Sequence, residues 1–448
     1  MLNNLYKIIP FLTLTFVSIL LLFNRPFVGI YIFGTRIGEI LIAASLLLAV
    51  LIPAIFLFSK TLKINKEYKI LTIIYGFIGI FFIASIFYHQ TSIFRAYTYK
   101  TSTYIWTIGY FYFSLIAFNN FDKLEKYKNY FLSVFMILPF IHYIFSTGFF
   151  PNFIIDFFNS FSDKFEFTKA SDIMLSLVIA NLLNFKYNSN KIFRFSYFGF
   201  SVSLLLPLLL FMSRGSFVSG VLFYIFSLYY FRKYFYKNLK VLLLLFIISS
   251  FSFIISLYNV SDIDFSFNWG NEPPPSVIET VEEVSKKKET RKAFLSLYIQ
   301  DGRLMSKDNT TNWRLDIWQD VFEDLRDKNL IVYGYGHNEI IPVMTDPSAP
   351  GRLGRDGLNE NVHNYFINIL ARGGLIQFFA FFAFYISLLR IAKRKFGNYG
   401  IFLFMIPILF NSTLDMSMEG VQYPIVYYVF LGLLISTEDK SNLINYED

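Results

Sequence analysis

Long runs of apolar residues constrain this 448-residue chain more than any other feature. Residues 37–58, 240–258 and 364–389 each approach or exceed the roughly 20 residues that cross a ~30 Å hydrocarbon core as a helix. Over the whole chain, 55% of the residues are hydrophobic and only 16% are charged. A soluble fold of this length cannot cover so much apolar surface with polar side chains. The sequence therefore predicts an all-α polytopic membrane protein.

Twelve transmembrane helices are predicted, and the basic residues indicate their direction. The helices are predicted over 8–23, 37–58, 69–88, 101–118, 130–148, 171–185, 195–213, 216–235, 240–258, 364–389, 399–413 and 420–436. Lys and Arg cluster in the loops after helices two, four, six, eight and ten, and such loops stay cytoplasmic. Both termini are therefore predicted inside. The net charge of +8 is explained by this topology rather than by nucleic acid binding.

This topology predicts four regions in the chain. Residues 1–258 hold helices one to nine, 259–363 form one large extracytoplasmic (periplasmic) loop domain, 364–436 hold helices ten to twelve, and 437–448 form a cytoplasmic tail. The first helix is predicted to be retained, because Phe23-Asn24-Arg25-Pro26 lacks the small residues of a signal-peptide cleavage site.

The predicted loop domain differs in composition from the helices around it. Pro273-Pro274-Pro275 ends an aromatic stretch, and residues 279–292 are charged with helical character. Apolar residues between Trp313 and Leu325 recur at helical spacing and predict an amphipathic helix. Gly334-Tyr335-Gly336 then interrupts the chain, and residues 347–357 form a Gly-rich connector.

Several kinds of chemistry have little support in this sequence. The chain has no cysteine, which excludes disulfides, thiolate metal sites and a Cys nucleophile. Asp262 and Asp264 form a tight acidic pair in the predicted loop domain, and two solvated carboxylates explain them better than a metal site does. No phosphate-binding P-loop occurs. We therefore expect no cofactor and no metal.

His363 is the most informative of the four histidines, because it lies where the loop domain meets helix ten. A neutral imidazole at the membrane boundary can take a proton from a sugar hydroxyl. A polar residue that caps the start of a helix explains this position equally well.

Three arginines occupy positions where a positive charge is unexpected in a membrane protein. Arg214 lies in the tight turn between helices seven and eight, where a guanidinium beside a helix N-terminus can hold phosphate oxygens, or can extend to the interface as a long side chain. Arg314 is a second candidate phosphate ligand, although pairing with Asp316 also explains it. Arg372 lies about two turns inside an apolar helix and can face a hydrophilic cavity, unless the helix begins later.

Four carboxylates are predicted at the extracytoplasmic ends of helices. They are Glu39, Asp172, Asp415 and Glu419. Each can orient sugar hydroxyls, or can simply mark the start of a helix, where negative charge is favoured.

Three segments together resemble the bacterial O-antigen ligase and O-antigen polymerase family. They are Ser213-Arg214-Gly215, then Trp313-Arg314 with Gly334-Tyr335-Gly336-His337, and then His363-Asn364 followed by Leu370-Ala371-Arg372-Gly373-Gly374-Leu375. The order and membrane context of the segments match the family over roughly residues 170–390. The sequence departs from the family pattern in its adjacent glycines and in the Arg372 before them.

The resemblance implies a multi-helix glycosyltransferase fold of the kind that uses lipid-linked sugars (GT-C-like). It implies that Arg214 and Arg314 contact the pyrophosphate of a polyprenyl-linked glycan donor in a bacterial inner membrane, and that His363 activates the acceptor hydroxyl. We also expect His337, Asn364, Arg372, Glu39 and Asp172 to bind substrate. The implied reaction is inverting glycosyl transfer without a metal, in lipopolysaccharide or polysaccharide biosynthesis.

Two questions stay open at the level of sequence. A ligase transfers a finished glycan onto the lipid A core, whereas a polymerase extends a glycan on the undecaprenyl pyrophosphate carrier, and the motifs are shared. Related proteins attach glycans to protein. The rival from another class is a polysaccharide flippase or other transporter, which would favour ionisable residues at mid-membrane in several helices. Apart from His142, the candidates here lie near helix ends.

Overall fold

The computed structural model describes residues 2–58, 66–92, 95–121, 124–164, 168–260, 297–349, 351–353 and 359–436. Seventeen α-helices lie in these ranges: Leu2–Val28 (α1), Ile37–Phe58 (α2), Lys66–Tyr88 (α3), Ala96–Thr101 (α4), Thr103–Trp106 (α5), Gly109–Ala117 (α6), Glu125–Ser146 (α7), Asn152–Phe161 (α8), Ala170–Tyr187 (α9), Lys191–Met212 (α10), Arg214–Tyr230 (α11), Arg232–Lys237 (α12), Leu239–Val260 (α13), Asn309–Asp327 (α14), Tyr365–Phe396 (α15), Phe402–Ser412 (α16) and Gln422–Ser436 (α17). Two short antiparallel hairpins are also present, Tyr31–Ile32 (β1) with Thr35–Arg36 (β2), and Leu297–Gln300 (β3) with Arg303–Ser306 (β4).

Seven of the described helices are long and apolar enough to cross a membrane. They are Lys7–Val28 within α1, then α2, α3, α7, α10, α13 and α15. The remaining five predicted spans coincide with α4–α6, α9, α11, α16 and α17, of which α16 and α17 are shorter apolar helices. The all-helical membrane architecture is thereby confirmed, and the count of twelve spans stays a prediction.

The predicted span over residues 101–118 is divided into α4, α5 and α6 rather than continuous. Hydroxyl groups bond to the backbone where it breaks. Ser102 Oγ donates to the Thr98 carbonyl at 2.7 Å, and Trp106 Nε1 donates to Ser102 Oγ at 2.8 Å. Ser and Thr side chains that bond to backbone carbonyls bend or interrupt helices, which an apolar-run analysis does not detect.

Contacts between helix ends that are distant in the chain distinguish two faces of the helix bundle. On one face Lys395 Nζ donates to the carbonyls of Ile435 and Ser436 at 2.7 and 3.1 Å. On the other face, Lys100 Nζ pairs with Glu360 at 2.8 Å. We call this second face the loop-domain face. Helices that alternate in direction along the chain, as the basic loops predicted, would bring these segments together.

Burial separates a protein-enclosed centre from a surface suited to lipid. Every residue of α17 is buried, and so are residues 170–185 of α9. In contrast, α2 and α13 expose large apolar side chains, among them Leu47, Val50, Leu51, Phe246, Phe251 and Ile254. Apolar side chains that point outward along whole helices favour a hydrocarbon environment over water.

The described part of the loop domain is built on α14. Ile317, Val321 and Leu325 are fully buried on one face of this helix, which confirms the predicted amphipathic helix. They belong to an apolar cluster that includes Val362 and Ala371. The loop domain is thus packed against the start of α15.

Acidic residues on another face of α14 form ion pairs with two arginines. Arg303, in β4, pairs with Asp316 at 3.1 Å and with Asp320 at 2.5 Å. Arg352 pairs with the same two carboxylates and donates to the Val343 carbonyl at 3.0 Å. Asp316 therefore pairs with Arg303 and Arg352, and not with Arg314 as the sequence had allowed.

The loop that follows α14 packs against a break in α15. Gly374 has φ 64° and ψ −169°, a backbone conformation that essentially only glycine adopts. Around it, Tyr335 N donates to the Ala371 carbonyl at 2.7 Å, and Leu375 N donates to the Ile331 carbonyl at 2.9 Å. A Cβ on Gly374 would overlap the Val332 carbonyl. The adjacent glycines thus let two backbone segments approach each other.

Several predicted features lie outside the described residues. They are Pro273-Pro274-Pro275, the charged segment 279–292, Asp262 and Asp264, part of the connector 347–357 and the tail 437–448.

We expect Gly374→Ala to detach the loop domain from α15. The substituted side chain would have to adopt a strained backbone conformation and displace the Val332 carbonyl, which predicts a loss of about 1–3 kcal/mol in stability. Thermal unfolding of the purified protein in detergent would measure it. Gly76→Ala in α3 is the matched control, because a Cβ there meets no atom within 4 Å. Equal stability of the two variants would contradict this account of the break.

Candidate active site at the loop-domain face

Arg214 begins α11 directly after a one-residue turn. Ser213 separates α10 from α11 and caps α11, because its side chain accepts a hydrogen bond from Ser216 N. Gly215 lies against Leu414, and a Cβ there would come within 2.9 Å of Leu414 Cβ. This close packing holds Arg214 at the loop-domain face, where its Nη1 pairs with Asp308 Oδ1 at 3.0 Å.

Asp308 connects Arg214 to the helix that carries Arg314. It caps α14, because its side chain accepts from Thr311 N at 2.9 Å and from Thr311 Oγ1 at 2.6 Å. Burial raises the pKa of Asp308, but these bonds and the Arg214 guanidinium outweigh burial and hold the pKa below its usual value. Sequence reasoning missed this residue, although an Asp directly before a helix is typical of an N-cap.

Arg314 lies on α14 and is half-buried against the segment after α16. Its Nη1 donates to the Leu414 carbonyl, and its Nε has no hydrogen-bond partner among the described residues. Asp308 and Asp415 are the carboxylates that act on it electrostatically. Burial lowers the pKa of Arg314, yet a guanidinium remains charged at any physiological pH.

His363 lies immediately before α15 with a positive φ of 54°, which is uncommon for a residue other than glycine. Its ring contacts Trp313 edge-on, with 5.1 Å between the ring centroids. Burial, followed by the nearby Arg314 charge, lowers the pKa of His363 to about 4, against the opposing effect of Asp415. The imidazole is therefore neutral at pH 7.

Asn359 determines which nitrogen of His363 carries the proton. Asn359 Nδ2 donates to the Arg352 carbonyl at 2.9 Å, which fixes the orientation of the amide. Its Oδ1 consequently faces His363 Nε2 at 2.8 Å and can only accept. Nε2 thus carries the hydrogen, and Nδ1 is the basic nitrogen. Sequence reasoning had no signal for Asn359, because its role depends on the fold of the loop.

Five residues from four segments therefore meet at the loop-domain face. We call them the Arg–His cluster: Arg214, Asp308, Arg314, His363 and Asp415. The structure brings together the three residues predicted to be catalytic. Asp415 joins them from the segment between α16 and α17, where its own Oδ1 accepts from Met416 N at 2.8 Å.

Residues 199–382 match the family model described as O-antigen ligase. This part of the chain is therefore similar to the O-antigen ligase family. The match includes Arg214, Arg314 and His363, and it confirms the family resemblance. A search of the curated proteins finds no match for the chain.

Within the matched residues, Asn364 and Arg372 form hydrogen bonds with backbone groups. Asn364 caps α15, because its Oδ1 accepts from Phe366 N and Ile367 N at 3.0 and 3.1 Å. Arg372 is buried, and its Nη1 donates to the carbonyls of Gly336 at 3.2 Å and Glu339 at 2.5 Å. The structure thus places Arg372 against the docked loop.

The other three residues predicted to bind substrate lie in different surroundings. His337 is buried between Phe82 and Tyr104 and shares a hydrogen bond with Thr101 Oγ1 at 3.2 Å. Glu39 is exposed in the first turn of α2. Asp172 is buried in the first turn of α9, where Asp415 of the Arg–His cluster acts on it electrostatically. Of these three residues, Asp172 thus interacts electrostatically with the cluster.

Glu419 is an additional buried carboxylate beside the cluster. Both of its carboxyl oxygens are buried and have no hydrogen-bond partner among the described residues. Burial, and then the nearby Asp415, raise the pKa of Glu419 to about 8, while Arg372 lowers it. Within the described ranges, no group of three or more His, Asp or Glu side chains is arranged to hold a metal ion.

Proposed function

We propose that the protein transfers a glycan from a polyprenyl diphosphate to an acceptor hydroxyl, with inversion at the anomeric carbon and without a metal ion. The observation that carries the proposal is a neutral histidine base held beside two arginines at one end of the membrane helices. The match of residues 199–382 to the O-antigen ligase family model supports glycosyl transfer in O-antigen or lipopolysaccharide biosynthesis.

The arginines have the charge that the leaving group requires. As the bond between the anomeric carbon and the phosphate oxygen breaks, negative charge grows on the diphosphate. Arg314 Nε is buried without a partner among the described residues, and it can donate to such an oxygen. Arg214 is partly exposed at 31%, and its pairing with Asp308 orients it at the same face. Fixed guanidinium groups can thus supply the stabilisation that other transferases obtain from a divalent ion.

His363 has the proton-accepting atom that the acceptor requires. In the proposed step the acceptor oxygen bonds to the anomeric carbon, its proton moves to His363 Nδ1, and polyprenyl diphosphate departs. Asn359 keeps Nε2 protonated and so leaves Nδ1 available. Attack from the face opposite the diphosphate inverts the anomeric centre.

The position of Arg314 beside His363 makes the proposed base weak before substrate binds. Arg314 lowers the pKa of His363 in the free protein. A bound diphosphate would offset the Arg314 charge, so the pKa of His363 would rise when the donor arrives. The imidazole would thus gain basicity only with the donor in place.

Glycan transfer in a host that lacks its own ligase tests the proposal. We expect His363→Ala, Arg214→Ala and Arg314→Ala each to lower transfer by about 100-fold or more at matched membrane levels, because each removes a group that acts in the transition state. Arg326→Ala on α14 is the control, since its guanidinium is 71% exposed and pairs with Asp327.

The product identifies the kind of transfer. Glycan on lipid A core would indicate a ligase, and long chains on the carrier would indicate a polymerase. Neither product from the wild type, together with unchanged behaviour of the variants, would contradict an enzymatic function and favour transport.

The pH dependence of transfer tests the protonation state of His363. Because His363 in the protein without donor has a pKa of about 4, kcat/KM for the donor should stay level as the pH falls through 6.5. It should decline only near pH 4. The acidic limb of kcat should lie at higher pH, since it reports the donor complex. A kcat/KM limb centred at pH 6.5 would show that His363 is not desolvated as described.

Asn359 can be tested separately as a positioning residue. Asn359→Ala should lower kcat by about 10-fold to 100-fold, because Nδ1 is then basic in only part of the population. Asn359→Asp should retain the acceptor oxygen and shift the acidic limb of kcat/KM to higher pH, since a carboxylate stabilises imidazolium. Equal pH profiles for both variants and the wild type would reduce Asn359 to a structural role.

A further inference from the structure

The backbone of His363 has a conformation that its neighbours must hold in place. Its φ of 54° lies in the left-handed region, which costs energy for any residue with a Cβ and persists only where surrounding contacts maintain it. The hydrogen bond between His363 Nε2 and Asn359 Oδ1 restrains the imidazole ring. The backbone beneath the ring therefore needs a restraint of its own.

The peptide that follows His363 is fixed by the start of α15. Asn364 Oδ1 accepts from Phe366 N and Ile367 N, and the Asn364 carbonyl accepts from Asn368 N at 2.8 Å. These bonds belong to the cap and the first turn of a long helix, so Asn364 cannot rotate freely. The conformation of His363 then depends on the peptide that precedes it.

The peptide that precedes His363 is held by the indole of Trp318. Trp318 Nε1 donates to the Val362 carbonyl at 2.7 Å. Val362 is fully buried, so removing this donor would favour rotation of the peptide until the carbonyl finds another partner. Such a rotation would change φ of His363 and, with it, the direction of the imidazole.

One helix carries both this indole and a guanidinium of the Arg–His cluster. Trp318 follows Arg314 by four residues, so the two side chains project from the same face of α14. Trp313, directly before Arg314, contacts the His363 ring edge-on with 5.1 Å between the ring centroids. Both indoles also pack against the apolar cluster that contains Val362. Thus α14 contacts the segment of the proposed base through its ring and through its backbone.

We propose that Trp318 is a positioning residue, whose indole holds the Val362–His363 peptide so that the basic nitrogen stays aligned with a donor bound at Arg314. The inference rests on the proposed function and adds a residue that acts through the base rather than on the substrate. One rigid helix would then set the separation between the group that binds diphosphate and the group that accepts the proton. A displacement of about 1 Å is enough to slow a reaction that depends on such alignment.

Transfer kinetics separate this role from packing. Trp318→Phe keeps an aromatic ring in the apolar cluster and removes the N–H donor. We expect kcat to fall by about 10-fold to 100-fold while KM for the donor stays within about twofold of the wild type, because Arg214 and Arg314 are unchanged. Trp106→Phe is the matched control, since it removes an indole bond of 2.8 Å to Ser102 Oγ in another part of the fold.

A second variant removes the N–H without changing the shape of the side chain. It carries 3-benzothienylalanine at position 318, in which sulfur replaces the indole nitrogen. We expect the same loss of kcat as in Trp318→Phe, because neither side chain can donate to the Val362 carbonyl. A wild-type kcat in this variant would show that Trp318 acts by packing alone and would overturn the inference.

The state of His363 can also be measured without any substrate. The chain has four histidines, so labelling with ¹⁵N-histidine gives few signals, and His363→Gln identifies those of His363. We expect a protonated Nε2 and a pKa of about 4 in the wild type. Both variants at position 318 should show mixed tautomers and a pKa shifted towards about 6.5, since a displaced imidazole is less desolvated.

This spectrum distinguishes failure of the inference from failure of the proposed function. Unchanged His363 signals in both variants at position 318 would overturn the role of Trp318. Changed signals in a protein whose wild type transfers no glycan would support the restraint on His363 and count against the proposed function instead.

Discussion

The backbone contact between the loop after α14 and the break in α15 supports the geometry of the whole candidate site. Three hydrogen bonds of 2.7–3.0 Å join residues 331–336 to residues 371–375 across this contact. The buried Arg372 guanidinium adds two more bonds to loop carbonyls. Because α14 and the start of α15 share one apolar cluster, fixing the loop also fixes Arg314 relative to His363. A side chain at Gly374 would prevent this approach.

Electrostatics at the loop-domain face follow from placing few charges in a poorly solvated region. Arg314 is half-buried with an unpartnered Nε among the described residues, and Asp308 offsets part of the charge of Arg214. Burial beside these cations keeps His363 neutral. An incoming dianion would relieve this imbalance, so substrate binding and activation of the base would be coupled. That coupling needs no additional cofactor in the proposed reaction.

Two features give the proposed transferase a reason to lie in a membrane. Its donor would carry a polyprenyl chain that cannot leave the bilayer, and the Arg–His cluster lies at one end of the apolar helices. A donor held in the bilayer could thus reach the proposed base from within the plane of the membrane.

The sequence by itself determined the apolar helices and an amphipathic helix between Trp313 and Leu325, and it singled out Arg214, Arg314 and His363 as candidates, because apolar runs and charges in unfavourable places are local signals. Only the tertiary structure decided that Asp308 pairs with Arg214, that Asn359 sets the tautomer of His363, and that Arg372 holds a loop. The break of residues 101–118 into three helices was likewise invisible as a pattern. These outcomes depend on which distant segments pack together, and hydrogen bonds between residues far apart in the chain leave no periodicity in the sequence.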